Sequence, residues 1–136
     1  MPRPERVVAD THALLWWQAV SDRLSASARA ILDRADRVLV SPISCWEIAM
    51  LVERGRIALD RPVAAWVTDL FGDGQVGLAP LTPGIAVAAG ELKHFNGDPA
   101  DRLIFATAVA HAVPLITKDH ELRQSAERAG RVTTVW

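Results

Sequence analysis

The chain has 136 residues, half of them hydrophobic, which is enough to bury one core, so we expect a single domain spanning residues 1–136. Its formal net charge of −1 argues against a strongly basic nucleic-acid coat, but a nuclease can neutralise phosphate with a metal cluster instead. Cys45 is the only cysteine, which excludes an intrachain disulfide and favours a reducing cytoplasm; we expect neither a signal peptide nor a membrane-spanning segment.

Short apolar runs alternate with helical patterns along the chain. The apolar runs predict strands at 7–9, 38–40, 76–78, 114–117 and 132–135. The helical patterns predict helices at 13–19, 25–36, 43–53, 62–71, 83–93, 98–112 and 120–129. Strands that are continuously apolar and alternate with helices are typical of a parallel sheet that is covered on both faces. The sequence therefore predicts an α/β fold, a three-layer sandwich with a short, mostly parallel sheet.

Two acidic residues directly follow predicted strands. Asp10 comes after the run at 7–9, and Asp119 comes after the run at 114–117. If these strands are neighbours at the point where strand order reverses, both carboxylates face one crevice at the carboxyl edge of the sheet. Each residue can also be explained as the cap of the helix that follows, and Thr11 could take that role in place of Asp10.

Three further acidic residues occupy unusual positions. Asp98 and Asp101 open a predicted helix, where a cap and the helix dipole explain them, although two carboxylates are more than a cap requires. Glu47 lies in a helix that is apolar nearly all round, which predicts a largely buried helix. Arg54 is two turns away, which is far for a simple ion pair. A gap in the apolar face, a buried ion pair or a functional carboxylate would each account for Glu47.

The candidate ligands are all oxygen atoms, which favours Mg²⁺ or Mn²⁺ over Zn²⁺. The histidines His12, His94, His111 and His120 show no metal-ligand spacing, and the chain has no glycine-rich phosphate loop. A receiver-type module that binds Mg²⁺ is the main alternative, but its phospho-acceptor strand would end in Asp, and the run at 76–78 is followed by Ala79-Pro80. A haloacid-dehalogenase-like phosphatase would need Asp where His12 stands. A pure interaction protein would leave Glu47 unexplained.

Four segments carry the acidic residues in order over nearly the whole chain. They are Val8-Ala9-Asp10-Thr11-His12-Ala13-Leu14-Leu15-Trp16, Ser41-Pro42-Ile43-Ser44-Cys45-Trp46-Glu47-Ile48-Ala49, Asp98-Pro99-Ala100-Asp101-Arg102-Leu103-Ile104 and Leu115-Ile116-Thr117-Lys118-Asp119. Together they resemble the PIN-domain ribonucleases and, within that family, the VapC-like toxins of bacterial toxin–antitoxin pairs. Each segment alone is a weak signal, whereas the order and spacing of all four are specific.

The resemblance implies a cytoplasmic, metal-dependent ribonuclease that leaves 5′-phosphate and 3′-hydroxyl ends and is held by a cognate antitoxin; a non-toxin PIN nuclease is the nearest alternative. It places the family's acidic quartet, which would bind Mg²⁺ or Mn²⁺, on Asp10, Glu47, Asp101 and Asp119, with Asp98, Thr11 and Thr117 beside it. It also implies a homodimer. We expect RNA phosphate contacts from Arg102, Lys118, Arg123 and Arg54. We expect an apolar antitoxin groove at Trp16, Trp17, Trp46 and Met50.

Overall fold

The computed structural model describes residues 5–93, 95 and 97–136. The predictions that concern residues 1–4 and His94 lie outside this part of the chain. Within it, a sheet of five parallel strands has the order β3-β2-β1-β4-β5. The strands are β1 (Arg6–Ala9), β2 (Arg37–Val40), β3 (Val76–Leu78), β4 (Leu115–Ile116) and β5 (Thr134–Val135). The predicted parallel sheet is confirmed, with every described strand pair parallel.

Helices connect the strands, as the sequence pattern predicts. They are α1 (Thr11–Gln18), α2 (Ala26–Arg34), α3 (Pro42–Glu53), α4 (Val63–Gly72), α5 (Pro83–Gly90), α6 (Pro99–His111) and α7 (His120–Ala129). Most bounds agree with the sequence to within two residues, but α5 ends three residues earlier than predicted. Within the described residues, no helix is both long and apolar enough to cross a membrane.

The sheet has one apolar core on each face because successive side chains of a strand point to opposite sides. In β1, Val7 faces a cluster that includes Leu14 of α1 and Leu32 of α2. Val8 faces the opposite cluster, which includes Phe105 of α6. These layers confirm the predicted three-layer α/β sandwich.

The central strand β1 lies between β2 and β4, so the strand order reverses beside it. The register pairs Ala9 of β1 with Ile116 of β4. Asp10 and Thr117, the next residue of each strand, therefore leave the sheet side by side at its carboxyl edge. Ligand sites of open α/β sheets lie at this kind of reversal, and the acidic residues of this chain are placed around it.

Candidate active site

A pocket of about 540 Å³ opens at the carboxyl edge of the sheet. All five acidic residues singled out from the sequence line it, although they come from four separate parts of the chain. Its lining residues are Asp10, Thr11, His12, Trp16, Arg23, Glu47, Asp98, Asp101, Lys118 and Asp119. We call this cavity the acidic pocket. The structure thus brings together side chains that lie more than 100 positions apart.

Three of the five carboxylates cap helices while they line the acidic pocket. One oxygen of Asp10 accepts a hydrogen bond from the backbone N–H of Ala13 at 2.8 Å. Asp98 accepts from the N–H of Asp101 at 2.8 Å, and Asp119 accepts from the N–H of Leu122 at 3.0 Å. Capping uses one carboxylate oxygen in each case, so the second oxygen of Asp98 and of Asp119 lies outside the cap. The same carboxylate can therefore cap a helix and take part in a functional site.

The second oxygen of Asp10 accepts a short hydrogen bond from the hydroxyl of Thr117. The same hydroxyl oxygen accepts the backbone N–H of Asp119 at 3.0 Å, so Thr117 links the acidic residues that follow β1 and β4. Asp10 is buried, and burial raises the pKa of its carboxyl above the ordinary value, while the hydrogen bonds from Thr117 and Ala13 act in the opposite direction. The suggestion that Thr11 caps α1 is wrong, because Asp10 does so.

Thr11 instead supports Glu47. Its hydroxyl donates to a carboxylate oxygen of Glu47 at 2.5 Å, and its oxygen lies 3.0 Å from the hydroxyl oxygen of Ser44. Because Thr11 has one hydroxyl hydrogen and gives it to Glu47, the Ser44 hydroxyl donates to Thr11. Ser44 and Thr11 are both buried, so these two hydroxyls hold the Glu47 carboxylate in place from the protein interior.

Glu47 itself is half-buried, and helix α3 is less buried than the sequence pattern predicted. Its fully buried residues are Ser44 and Ile48, whereas Trp46 is 56% exposed. Burial raises the pKa of Glu47, and the nearby carboxylates of Asp98 and Asp10 raise it further, while the Thr11 hydrogen bond lowers it. Glu47 is therefore a carboxylate at the edge of a charged pocket, and it forms no ion pair with a residue that the structure describes.

The pKa of Asp101 is also raised well above its ordinary value. Burial comes first among the causes, and the carboxylates of Asp98, Asp119, Glu47 and Asp10 follow; together they raise its pKa from 3.8 to about 7. The five acids are thus close enough to repel one another. A bound cation would relieve this repulsion, so the cluster favours cation binding. Even so, among the described residues no three acidic, histidine or cysteine side chains stand close enough to hold one metal ion directly.

Of the four basic residues predicted to contact RNA, one lines the acidic pocket. This residue is Lys118, whose ammonium nitrogen lies 5.7 Å from the centre of the Trp16 indole. Arg54 and Arg123 are not among the residues that line the pocket. Arg102 does not line the pocket either. Its guanidinium donates hydrogen bonds to the carbonyls of Ala89 (3.0 Å), Gly90 (3.3 Å), Leu92 (2.9 Å) and Phe95 (3.1 Å). These hydrogen bonds give Arg102 a structural role and argue against the predicted RNA contact.

Sequence analysis missed Arg23 and His12, both of which line the acidic pocket. Arg23 lies in the polar connection between α1 and α2, where no periodic pattern marks a functional residue. His12 has the one signal that could have identified it, its position next to Asp10 and Thr11 at the start of α1.

The antitoxin groove stays a prediction, but the four residues named for it do not line one cavity together. A second cavity lies beside the acidic pocket, and of the four only Trp16 lines it. The indole N–H of Trp17 donates to Asp33 of α2 at 2.9 Å. Trp46 and Met50 do not line this cavity, and Leu51 is the residue of α3 that does. A helical pattern without a clear apolar face does not tell which side meets a partner.

Comparisons with known proteins agree with the geometry. Residues 7–128 match the PIN domain family. Ribonuclease VapC22 of Mycobacterium tuberculosis (strain ATCC 25618 / H37Rv) is 43% identical over 131 residues, which cover 96% of this chain and 98% of that protein.

Solved structures with low sequence identity share the fold. VapBC2 from Rickettsia felis, bound to a DNA fragment from their promoter, matches with a TM-score of 0.67 at 14% identity, covering 96% of this chain and 98% of that one. A toxin–antitoxin complex from Klebsiella pneumoniae matches with a TM-score of 0.64 at 19% identity, covering 96% of both chains. With the acidic residues gathered at the reversal of the sheet, and with a family match over most of its length, the chain belongs to the PIN-domain family.

Proposed function

We propose that this protein is a metal-dependent endoribonuclease and the toxin of a toxin–antitoxin pair. The observation that carries the proposal is the convergence of Asp10, Glu47, Asp98, Asp101 and Asp119 on one pocket in a PIN-family chain. The relative of this chain that is named a ribonuclease supports RNA as the substrate. The family match also argues against the two alternative explanations of the acidic cluster, a receiver-type module and a phosphatase.

The donor set of the acidic pocket suits Mg²⁺ or Mn²⁺. All five acidic side chains offer oxygen atoms. Burial, and after it the other four carboxylates, raise the pKa of Asp101, so a bound cation would relieve an unfavourable charge there. Mg²⁺ keeps several water ligands and uses only one or two carboxylates directly. A pocket in which no three described ligand residues converge on one point fits that mode of binding, with part of the shell made by water.

Each acidic residue has a role that follows from its position. Asp10 and Asp119, which Thr117 links, would hold the metal, and Glu47 and Asp101 would complete the shell directly or through water. Asp98 would add charge beside Asp101, while Thr11 and Thr117 keep Glu47 and Asp10 oriented. The bound metal supplies positive charge for the scissile phosphate, a more acidic attacking water and stabilisation of the departing 3′-oxygen.

Cleavage of RNA by the purified chain tests this proposal. With Mg²⁺ or Mn²⁺, the protein should cut total RNA and leave 5′-phosphate ends, which sequencing of those ends would locate. With excess EDTA, cleavage should stop. Full activity in EDTA would overturn the metal mechanism, and intact RNA in the presence of Mn²⁺ would overturn the nuclease.

A cognate antitoxin is the proposed partner, and it would cover the acidic pocket. Expression of the chain without that partner should arrest growth, and Asp10→Asn should relieve the arrest because it removes a charge from the centre of the pocket. Harmless expression of active nuclease would favour a PIN nuclease that is not a toxin. A homodimer, a cytoplasmic location and a single domain over 1–136 stay predictions.

A further inference from the structure

A second cavity, of about 670 Å³, adjoins the acidic pocket. It lies between α1, the end of α3, the connection at 56–61 and α4. Among the residues that line it are Leu15, Trp16, Arg23, Arg56, Leu59 and Trp66, and we call it the flanking groove. His12, Trp16 and Arg23 line both cavities, so the groove is continuous with the acidic pocket.

The two cavities have opposite charge. Five carboxylates line the acidic pocket, whereas the described residues that line the flanking groove include three arginines and a single acidic residue, Asp60. That residue is already paired, since Arg61 contacts Asp60 at 2.8 Å and Asp69 at 2.9 Å. Arg23 and Arg56 form no ion pair with a residue that the structure describes. The groove therefore presents positive charge that its own walls do not neutralise.

An RNA strand cut in the acidic pocket must continue beyond it. Its phosphates are repelled by carboxylates that a metal does not cover, so the strand needs a cationic path on at least one side. Arg23 stands where the two cavities join, and Arg56 lies further along the groove. The apolar walls, Leu15 and Leu59 among them, suit the faces of unstacked bases, and Trp16 provides an aromatic wall at the junction.

We infer that the flanking groove binds the single-stranded RNA on one side of the bond that is cut, with Arg23 at a phosphate close to that bond and Arg56 at a more distant one. This inference rests on the proposed nuclease function. A cationic junction complements an anionic chain, whereas the apolar face of a protein helix would need no arginine there. A protein occupant is the competing outcome of the test below.

The test compares Arg23→Ala and Arg56→Ala with Arg131→Ala, which removes an exposed charge just before β5 at the opposite edge of the sheet. All three are made in a Glu47→Gln background, so that bound RNA stays intact. The probe is a fluorescein-labelled single-stranded RNA of mixed sequence, about 20 nucleotides long, and the readout is fluorescence anisotropy at several salt concentrations. Both groove arginines are exposed, so melting temperatures should match that of the parent.

Each groove variant should weaken RNA binding about fivefold and should reduce the slope of log K against log salt by about one, the sign of one lost phosphate contact. Arg131→Ala should bind RNA as the parent does. Binding within about twofold of the parent for both groove variants would overturn the inference. So would unchanged RNA binding together with loss of co-purification with the antitoxin, since the groove would then be a protein site.

The proposed function and this inference can fail separately. If the unmodified protein leaves RNA intact with Mn²⁺, the nuclease proposal fails and the inference fails with it. If the unmodified protein cuts RNA while Arg23→Ala and Arg56→Ala bind it as tightly as the parent, only the path through the flanking groove is wrong.

Discussion

The hydroxyl of Thr11 donates to the carboxylate of Glu47 at 2.5 Å, and this contact joins the start of α1 to the middle of α3 beside the acidic pocket. Thr11 follows Asp10 directly in the chain. Because Thr11 holds Glu47 and is the chain neighbour of Asp10, the carboxylates of Glu47 and Asp10 are held in a fixed position relative to each other. Ser44, which is fully buried behind Thr11, makes the arrangement rigid from within the core.

Glu47→Gln should abolish RNA cleavage while the fold persists. Glutamine keeps the volume of the side chain and can still accept the Thr11 hydrogen bond, but it removes the negative charge from the pocket. Because burial raises the pKa of Glu47, the neutral residue should not lower the melting temperature. Glu53→Gln, on the exposed end of the same helix, is the matched control and should keep full activity. Activity of Glu47→Gln within about twofold of the parent would make Glu47 a structural residue.

The metal-free protein should lose stability as pH rises from about 4 to about 7. The pKa of Asp101 in the folded protein is about 7, above its ordinary value of 3.8, so the folded state binds more protons than the unfolded state between these values. The unfolding free energy therefore decreases with rising pH across this window, and the raised pKa values of Asp10 and Glu47 act in the same direction.

Asp101→Asn should flatten this pH dependence, because asparagine does not titrate. Thermal melts in EDTA between pH 4 and pH 8 would measure it for both proteins. The expected difference between the ends of the window is several degrees for the unmodified protein, given roughly 4 °C per kcal/mol for a domain of this size. Parallel curves for the two proteins would show that Asp101 does not carry the effect.

Asp119→Asn should separate the capping role of Asp119 from metal binding. Asparagine is as good a helix cap as aspartate, so α7 should keep its hydrogen bond from Leu122 and the metal-free protein should melt no lower than the unmodified one. Mn²⁺ at a hundred times its dissociation constant stabilises a folded protein by about 2.7 kcal/mol, roughly 10 °C here. The variant should show less than half of this rise, about 5 °C or less. A full rise would exclude Asp119 as a ligand.

Arg102→Ala should destabilise the protein without weakening its binding to RNA. The substitution leaves the carbonyls of Ala89, Gly90, Leu92 and Phe95 without their shared donor, and a loss of about 2–4 kcal/mol is expected. Arg102→Lys should recover part of it, since a lysine reaches fewer of these oxygens. Thermal melts and RNA anisotropy measure the two effects. An unchanged melting temperature combined with weaker RNA binding would restore Arg102 as a phosphate contact.

Local chemistry is enough to predict the elements and the acidic candidates. Continuous apolar runs and helical spacing locate the strands and helices to within a few residues, because burial on one face or both leaves a period in the sequence. Asp10 and Asp119 are recognisable for the same reason, since each follows an apolar strand and precedes a helix. The local sequence does not decide whether such a residue caps a helix or faces a pocket. In this fold Asp10 and Asp119 each cap a helix and also line the acidic pocket.

The tertiary structure decided which of these residues meet. Thr117 reaches Asp10 because β4 inserts beside β1, and no local pattern specifies that order of strands. Arg102 and Arg23 show the limit most clearly: one cationic side chain turns inward to four backbone carbonyls and the other lines two cavities, although both are arginines beside polar residues. The role of an arginine depends on which acceptors lie within reach of its long side chain. The tertiary structure sets the distance between the guanidinium and those acceptors.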